Sequence, residues 1–597
     1  MKPLIRAGGA LICALAISAH GQTKPADPSI PHLEKRGLAT QLIVDGKPFL
    51  VLGAEPPTSG ASNPEYLRYM YEVMAETHQN TGAMAVGWNW IEPEKGKFDF
   101  RIVDAIIKEA KAFGQHVCLI WFGTWKNGQS NFAPPWVKAD QDHFPRAQVK
   151  DGQSAENLSS FSQNGWEADG RAFAAMMRHI REVDRSHRII IVQVENEIGI
   201  FGDSRDRSAA ANQAYAAAVP AQLMDYLQQH KDNLHPEFRK VWEAAGFKTS
   251  GTWEQVFGQG AKGDEIFMAW NYALYVNHVA EAGKKEYPIP MCANTWGSKG
   301  WGAGPRGEPI DNVHDVWKAG APMVDMYCPD AYFGAQGAAD HIVDLTTRYT
   351  SNGLPFFTTE AQDGDMGAGH VFYAVGQQRA IGYCGMGNDG LLQWFSITGI
   401  NLPAAVTEPG MFSLARLDGF GGPGSTKPLP PLPPEYVGKS LSQAFLTMSQ
   451  IAPQILEHQT NGTIAGVVLD RQRPAENVKL GNYTINVRMP PGVRGTNAAS
   501  FPMGYGLFMA LGPDEYLLAG NNLLITFTPD TPGPRIAGLA TQEAGRYDKN
   551  GKWVATHFLG GDDSMLTSDP PANQAAYGVR LAFGEHAVQR VTLYRYR

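Results

Sequence analysis

Short apolar runs alternate with stretches of helical apolar spacing from residue 49 to residue 458. A β-branched or aliphatic run reads as a buried strand, and apolar positions three and four apart read as one face of a helix. This predicts strands over 49–53, 83–87, 116–122, 188–199, 289–293, 323–328, 354–359 and 390–394. Helical patterns over 64–78, 101–113, 171–183, 209–229, 265–281, 313–318, 338–349, 372–382 and 436–458 separate or follow them. Eight strands each followed by helical sequence predict a (β/α)8 TIM barrel over 32–458. A hairpin over 41–49, turning at Asp45-Gly46, precedes it, and a Gly/Pro-rich loop over 419–434 follows the eighth strand. In the final helix Leu441, Phe445, Met448, Ile451 and Ile455 fall on one side.

Beyond residue 459 the pattern changes to short strands at 463–469, 483–488, 505–510, 523–527, 553–558, 579–583 and 590–594, separated by turn clusters. That spacing predicts a C-terminal antiparallel β-sandwich domain over 459–597. At the other end, Lys2 and Arg6, an apolar segment over 7–19 and the small residues Ala19 and Gly21 predict a signal peptide over 1–21, and so an exported protein, periplasmic or extracellular. Ile12 before Cys13 argues against a lipid anchor, and no later stretch is long and apolar enough to span a bilayer.

Composition narrows the function classes. With 51 basic and 59 acidic residues the chain has no positive surplus to neutralise phosphates, so no nucleic-acid partner is expected. Cys118, Cys292, Cys328 and Cys384 lack metal-ligand spacing and three lie in or beside apolar runs, which predicts buried thiols, with a disulfide as the alternative. No metal cluster or phosphate loop is evident, and no cofactor is expected.

Chemistry enters where the strands end. The run 188–194 closes in Glu195-Asn196-Glu197, and 354–359 closes in Glu360. Unpaired buried carboxylates are costly, so acids at strand ends mark a cleft that uses charge. In a (β/α)8 barrel the carboxyl ends of all strands share one face, which brings Glu197 and Glu360 together. Two carboxyl groups flanking one bond are what glycoside hydrolysis requires. Strand alternation puts Glu195 and Glu197 on one face with Asn196 opposite, so pattern alone does not rank the two glutamates.

The stretch from Val194 to Gly199 resembles the strand-four signature of the retaining glycosidase clan built on this barrel. More narrowly, Gln193 to Gly199, Trp88-Asn89-Trp90-Ile91-Glu92-Pro93 with Gly96 and Phe98-Asp99-Phe100, and the hairpin before strand one resemble glycoside hydrolase family 35, the β-galactosidases. Trp121 to Gly128 with Ala133-Pro134-Pro135-Trp136, and Gly512-Pro513-Asp514-Glu515-Tyr516, are similar to a bacterial branch of it. Two motifs depart from the family pattern: Gly53-Ala54-Glu55-Pro56 after strand one and Ile91-Glu92-Pro93 after strand two.

The resemblance implies a retaining exo-β-galactosidase acting on terminal β-galactosyl residues of oligo- or polysaccharides such as xyloglucan fragments. Glu197 would be the acid/base and Glu360 the nucleophile, with Asn196 on the sugar 2-hydroxyl. Candidate substrate contacts are Asn89, Trp125, Lys126, Asn127, Tyr332 near the nucleophile and Trp394 as a stacking floor; Glu55 and Glu92 are weaker candidates. Another β-glycosidase of the clan, exo or endo, and a non-catalytic carbohydrate-binding barrel are the alternatives.

Overall fold

The structure is a computed structural model that describes residues 27–58, 60–332, 337–351, 353–386, 439–490, 503–564, 566, 577–582 and 587–597. The predicted signal peptide, the predicted strand 390–394 with Trp394, and the loop 419–434 lie outside the described residues.

Eight parallel strands form the barrel: β1 (Val51–Glu55), β2 (Thr81–Gly87), β3 (His116–Lys126), β4 (Ile189–Asn196), β5 (Met291–Thr295), β6 (Met326–Pro329), β7 (Phe357–Ala361) and β8 (Gly382–Met386). They pair in chain order, and β8 returns to β1 with Tyr383 opposite Leu52. The last seam, β6 to β7, closes where Ala331 N donates to Glu360 O and Gln362 N to Ala331 O, both at 3.0 Å.

The first seven strands fall on the predicted runs; the eighth does not. The helix predicted over 372–382 stops at Gln377, and Arg379 takes φ +56°. The small and apolar residues 380–386 are thereby released from the helix to pair as β8. Helical spacing continues through this stretch, which is why the sequence misplaced the boundary.

Each strand feeds a helix: α1 (Pro64–Glu76), α2 (Arg101–Ala112), α3 (Gln163–Val183), α4 (Ala261–Glu286), α5 (His314–Gly320), α6 (Ala338–Thr350), α7 (Gly364–Gln377) and α8 (Lys439–Asn461). Between β4 and α4 run the shorter helices Ala209–Ala216, Ala221–Gln229 and Pro236–Ala244. The five apolar positions predicted on one side of α8 are all buried. Ahead of the barrel, Ala39–Val44 and Lys47–Phe49 form the predicted hairpin, with Asp45 and Gly46 both at positive φ as a two-residue turn requires.

Every barrel strand sends at least one side chain into a single apolar cluster that includes Val51, Ala83, Cys118, Ile191, Cys292, Met326, Phe357 and Cys384. All four described cysteines are free and buried. Toward the carboxyl ends the interior turns polar, beginning where Thr359 Oγ1 donates to Gln193 Oε1 at 2.6 Å. That change from apolar to polar filling positions the site.

After α8 come β9 (Ile464–Leu469), β10 (Ala475–Leu480), β11 (Tyr483–Arg488), β12 (Gly504–Gly512), β13 (Glu515–Asn521), β14 (Leu523–Pro529), β15 (Ile536–Tyr547), β16 (Trp553–Phe558), β17 (Val579–Leu581) and β18 (Ala587–Tyr596). They make two antiparallel sheets, β9-β12-β13-β18-β15-β16 and β10-β11-β14-β17. Sequence reading missed β10, β13 and β15. The first is an edge strand whose outward residues are polar, and β15 is mostly solvated, so neither carries an apolar run.

In the larger sheet, Val467, Phe508 and Leu518 pack on the smaller sheet, while Val468, Leu507 and Leu517 belong to the main core shared with the barrel helices. Burial on both faces explains the unbroken apolar runs of β9 and β12. Phe372 of α7 meets Tyr505 of β12 at 5.1 Å, and Gly376 lies against Gly466 of β9. Among the described residues no helix is long and apolar enough to cross a membrane.

A methyl group at Gly466 would lie 2.6 Å from Phe372 O and 2.9 Å from Gln377 N, both backbone atoms of α7 or its end. Gly466→Ala is therefore expected to force helix and sheet apart at a cost of about 1–3 kcal/mol, read as a lower denaturant midpoint in equilibrium unfolding.

Candidate active site

The strand-four signature bends as it leaves the sheet. Glu195 and Glu197 both take positive φ, +65° and +48°, a region that costs a non-glycine residue energy and persists only where the surroundings enforce it. Regular alternation would have put the two glutamates on one face; the bend separates them. The Glu195 carboxylate accepts Thr124 N at 3.1 Å and Trp125 N at 2.7 Å. It lies beside Asp169 of α3, which accepts from Trp121 Nε1 (2.9 Å) and Thr124 Oγ1 (2.7 Å). Burial first, then the Asp169 charge, pushes the Glu195 carboxyl well above its ordinary range. Glu195 thus holds the end of β3 against α3.

Glu197 faces the cleft instead. Its N–H donates to Asn294 Oδ1 at 2.8 Å, and its carbonyl accepts Gly128 N at 2.9 Å. Glu360 arrives from β7, where the register with β8 shifts between Thr358 and Ala361, a bulge of the kind that re-aims a side chain. Glu197, Asp330 and Glu360 each place one carboxylate oxygen within 4.8 Å of the other two. Tyr332 OH donates to Glu360 Oε1 at 3.0 Å and also touches Met386 Sδ. One oxygen each of Glu197, Asp330 and Glu360 is buried with no hydrogen-bond partner among the described residues. Unsatisfied buried oxygens of this kind await a ligand or pay a desolvation penalty.

Electrostatics follow from this crowding. Burial, opposed by Lys126 and Tyr332 and reinforced by Glu197, brings the Glu360 carboxyl up to about 7. Asp330 is pushed well above its ordinary value by burial and then by the charges of Glu360 and Glu197. Glu55, at the end of β1, is raised for similar reasons: burial first, then Glu360. Lys126 loses by burial but gains more from Glu360, Glu197, Glu55 and Asp330, so its ammonium stays charged. Three acids at this spacing would also admit a cation; Lys126 already supplies positive charge to the same oxygens.

Several predicted residues meet here and others do not. Asn196 is buried beside Glu197, its Oδ1 accepting from Gln193 Nε2 (3.0 Å) and Asn294 Nδ2 (3.4 Å). The exposed Asn127 receives Asn196 Nδ2 at 3.5 Å. Asn89 Oδ1 is buried without a hydrogen-bond partner among the described residues. Trp125 is fully buried, edge-on to Tyr272 and Tyr275 at 5.2 and 4.6 Å, and among the described residues its Nε1 has no hydrogen-bond partner. Glu92 is occupied structurally by Trp88 Nε1 (3.1 Å), Gly96 N (2.7 Å) and Arg171 (3.1 Å). Trp394 falls outside the described residues.

Glu55, a weak candidate from sequence, lies in the cluster, and Asn294 and Asp330 were missed. Each follows an inward apolar position by an even number of residues (Val51, Cys292, Cys328) at a strand end, and that parity was the available signal.

Residues 61–256 match the glycoside hydrolase family 42 model, described as beta-galactosidase. The matched stretch carries Glu197 and ends before Glu360. It agrees with the clan that the strand-four motif resembles, through family 42 where the motifs resembled family 35. Residues 441–567 match a domain of unknown function, DUF5597. A beta-galactosidase of Xanthomonas manihotis is 28% identical over 220 residues, 35% of this chain and 33% of that protein. The chain thus matches about a third of that relative's length. Among solved structures, the β-galactosidases of Bacillus circulans sp. alkalophilus (13% identity, TM-score 0.40, 68% of this chain and 57% of that one) and Rahnella sp. R3 (18%, 0.36, 56% and 50%) are similar too slightly to bear on the site.

The two neighbouring glutamates separate experimentally. Glu195→Gln turns an N–H toward one of the two N–H groups that Glu195 accepts, and is expected to cost about 1–3 kcal/mol of stability. Glu197→Gln should leave the unfolding midpoint nearly unchanged, as thermal denaturation of the two variants side by side would show.

Proposed function

We propose that this chain is a retaining exo-β-galactosidase that releases terminal β-galactose from oligosaccharides, with Glu197 as acid/base and Glu360 as nucleophile. The observation that carries the reading is that these two residues, one from the end of β4 and one from β7, each bring a carboxyl oxygen within 4.8 Å of the other's, so that both can flank one bond. Retaining glycosidases hold their pair about 5–5.5 Å apart, whereas inverting enzymes leave about 6.5–9.5 Å for a water. The family 42 match and the Xanthomonas relative support galactose as the sugar released. The motifs that resemble family 35 are what favours the exo mode and plant-derived chains such as xyloglucan fragments. The basic, then apolar, N-terminal sequence supports export to the periplasm or beyond.

Glu360 attacks the anomeric carbon as the glycosidic C–O bond breaks, and Glu197 gives its proton to the departing oxygen. A covalent galactosyl-enzyme remains. Glu197, now ionised, takes a proton from water, whose oxygen displaces Glu360 and releases galactose with its β configuration. Tyr332 holds one Glu360 oxygen and aims the other. Asn294 fixes Glu197 through its backbone and Asp330 through its carboxylate. Asn196 meets the 2-hydroxyl, and Glu55 and Lys126 meet other hydroxyls.

Glu197→Gln and Glu360→Gln are each expected to lower kcat at least about a hundredfold, while proton NMR of wild-type products shows β-galactose first. Turnover unchanged in either variant, or an α product, contradicts the assignment. Because Glu360 must be ionised to attack and its carboxyl lies at about 7, kcat/KM should rise with pH through that value. Tyr332→Phe removes a bond that favours the ionised form, so the acid limb should move to higher pH in a pH–rate profile.

A further inference from the structure

Two aromatic rings stand in solvent beside this cleft. Phe201 is 39% exposed and Trp296 is 44% exposed, yet their ring centroids are 5.5 Å apart at an interplanar angle of 54°. Single exposed aromatics are ordinary; two in contact on the loops that flank Glu197 offer an apolar platform at the cleft.

Both are tied to Glu197. Phe201 lies four residues beyond it, and its ring rests on Gly128, where a Cβ would come within 2.6 Å of the ring. Gly128 N is the group that donates to Glu197 O. Trp296 follows the end of β5, two residues after Asn294, the partner of Glu197 N. Neither loop hangs free. Ile200 and Arg306 exchange backbone bonds at 3.2 and 3.0 Å, stapling the loop after β4 to the loop after β5. Trp296 N donates to the buried Glu308 carboxylate at 2.9 Å. A platform fixed before binding loses little freedom when a ligand arrives.

Chemistry assigns its side of the cleft. The acid/base donates to the leaving oxygen, so whatever that oxygen carries departs on the Glu197 side. The loops after β4 and β5 flank that side, away from Glu360 on β7.

We propose that Phe201 and Trp296 form a subsite for a sugar ring on the leaving-group side, packing the apolar CH face of a pyranose against the paired rings. This rests on Glu197 as the proton donor, and it makes the substrate a galactosyl-saccharide, with recognition extending past the scissile bond. An aromatic face against a sugar requires no charge, and the indole N–H and the nearby Lys126 and Asn127 remain for hydroxyls.

The test uses the full chain with Trp296→Ala and Phe201→Ala. Two substrates share the galactose but differ in what departs: lactose, whose leaving group is a glucose ring, and β-galactosyl fluoride, which has no leaving ring. The variants are expected to lose about tenfold in kcat/KM on lactose and nothing on the fluoride, with Trp296→Phe recovering most of the loss. Equal loss on both substrates, or none on either, overturns the subsite. A turnover-free arm titrates cellobiose, a disaccharide without galactose, and follows tryptophan fluorescence. A saturable change in the wild type that Trp296→Ala abolishes supports the platform, and no saturable change overturns it. Failure of the fluoride to turn over with cellobiose binding intact would instead strike the hydrolase reading.

Discussion

Carboxyl groups that crowd together out of water cannot all be ionised, because repulsion between like charges grows as the dielectric falls. This constraint governs the top of the barrel. Glu197, Asp330 and Glu360 each bring one carboxyl oxygen within 4.8 Å of the other two, with Glu55 close enough to feel Glu360 and with Lys126 as the cation that acts on all four. Protons must be distributed unevenly among them, and an uneven distribution is what acid/base chemistry needs. One carboxyl can hold a proton for delivery while another, stabilised by Lys126 and Tyr332, is left free to attack.

The fold supports this crowding in layers. The barrel floor is an apolar cluster fed by all eight strands. Above it Gln193 and Thr359 bridge strands four and seven, the two that carry the paired acids. A backbone bend at Glu195 and Glu197 and a bulge before Ala361 then aim the carboxylates. Glu195 stabilises the bend from behind by holding Thr124 and Trp125. The β-sandwich packs on α7, the helix that follows Glu360, through the Gly376–Gly466 contact, so the C-terminal sheets back the helix that follows strand seven.

Much of this was legible in the residues. Apolar runs placed seven barrel strands and the buried side of α8, and the strand-end rule brought Glu197 and Glu360 to one face. Boundaries failed where two patterns overlap, as at 380–386, where helical spacing runs on into a strand. Edge and solvated strands such as β10 and β15 were silent because nothing apolar marks them. Within the site, sequence could not rank Glu195 against Glu197, since the deciding fact is a pair of left-handed backbone conformations that non-glycine residues rarely adopt. Asp330 and Asn294 were readable only through inward parity.

Covalent capture of the attacking group tests the centre of this account most directly. A 2-deoxy-2-fluoro-β-galactosyl fluoride, whose C2 fluorine slows both steps while its fluoride leaving group keeps formation of the glycosyl-enzyme faster than its breakdown, should inactivate the protein. Peptide mass spectrometry of the inactivated chain is then expected to find the sugar esterified to Glu360. A label on Glu55, Glu195 or Asp330, or hydrolysis of galactosides with no covalent adduct formed, would contradict it.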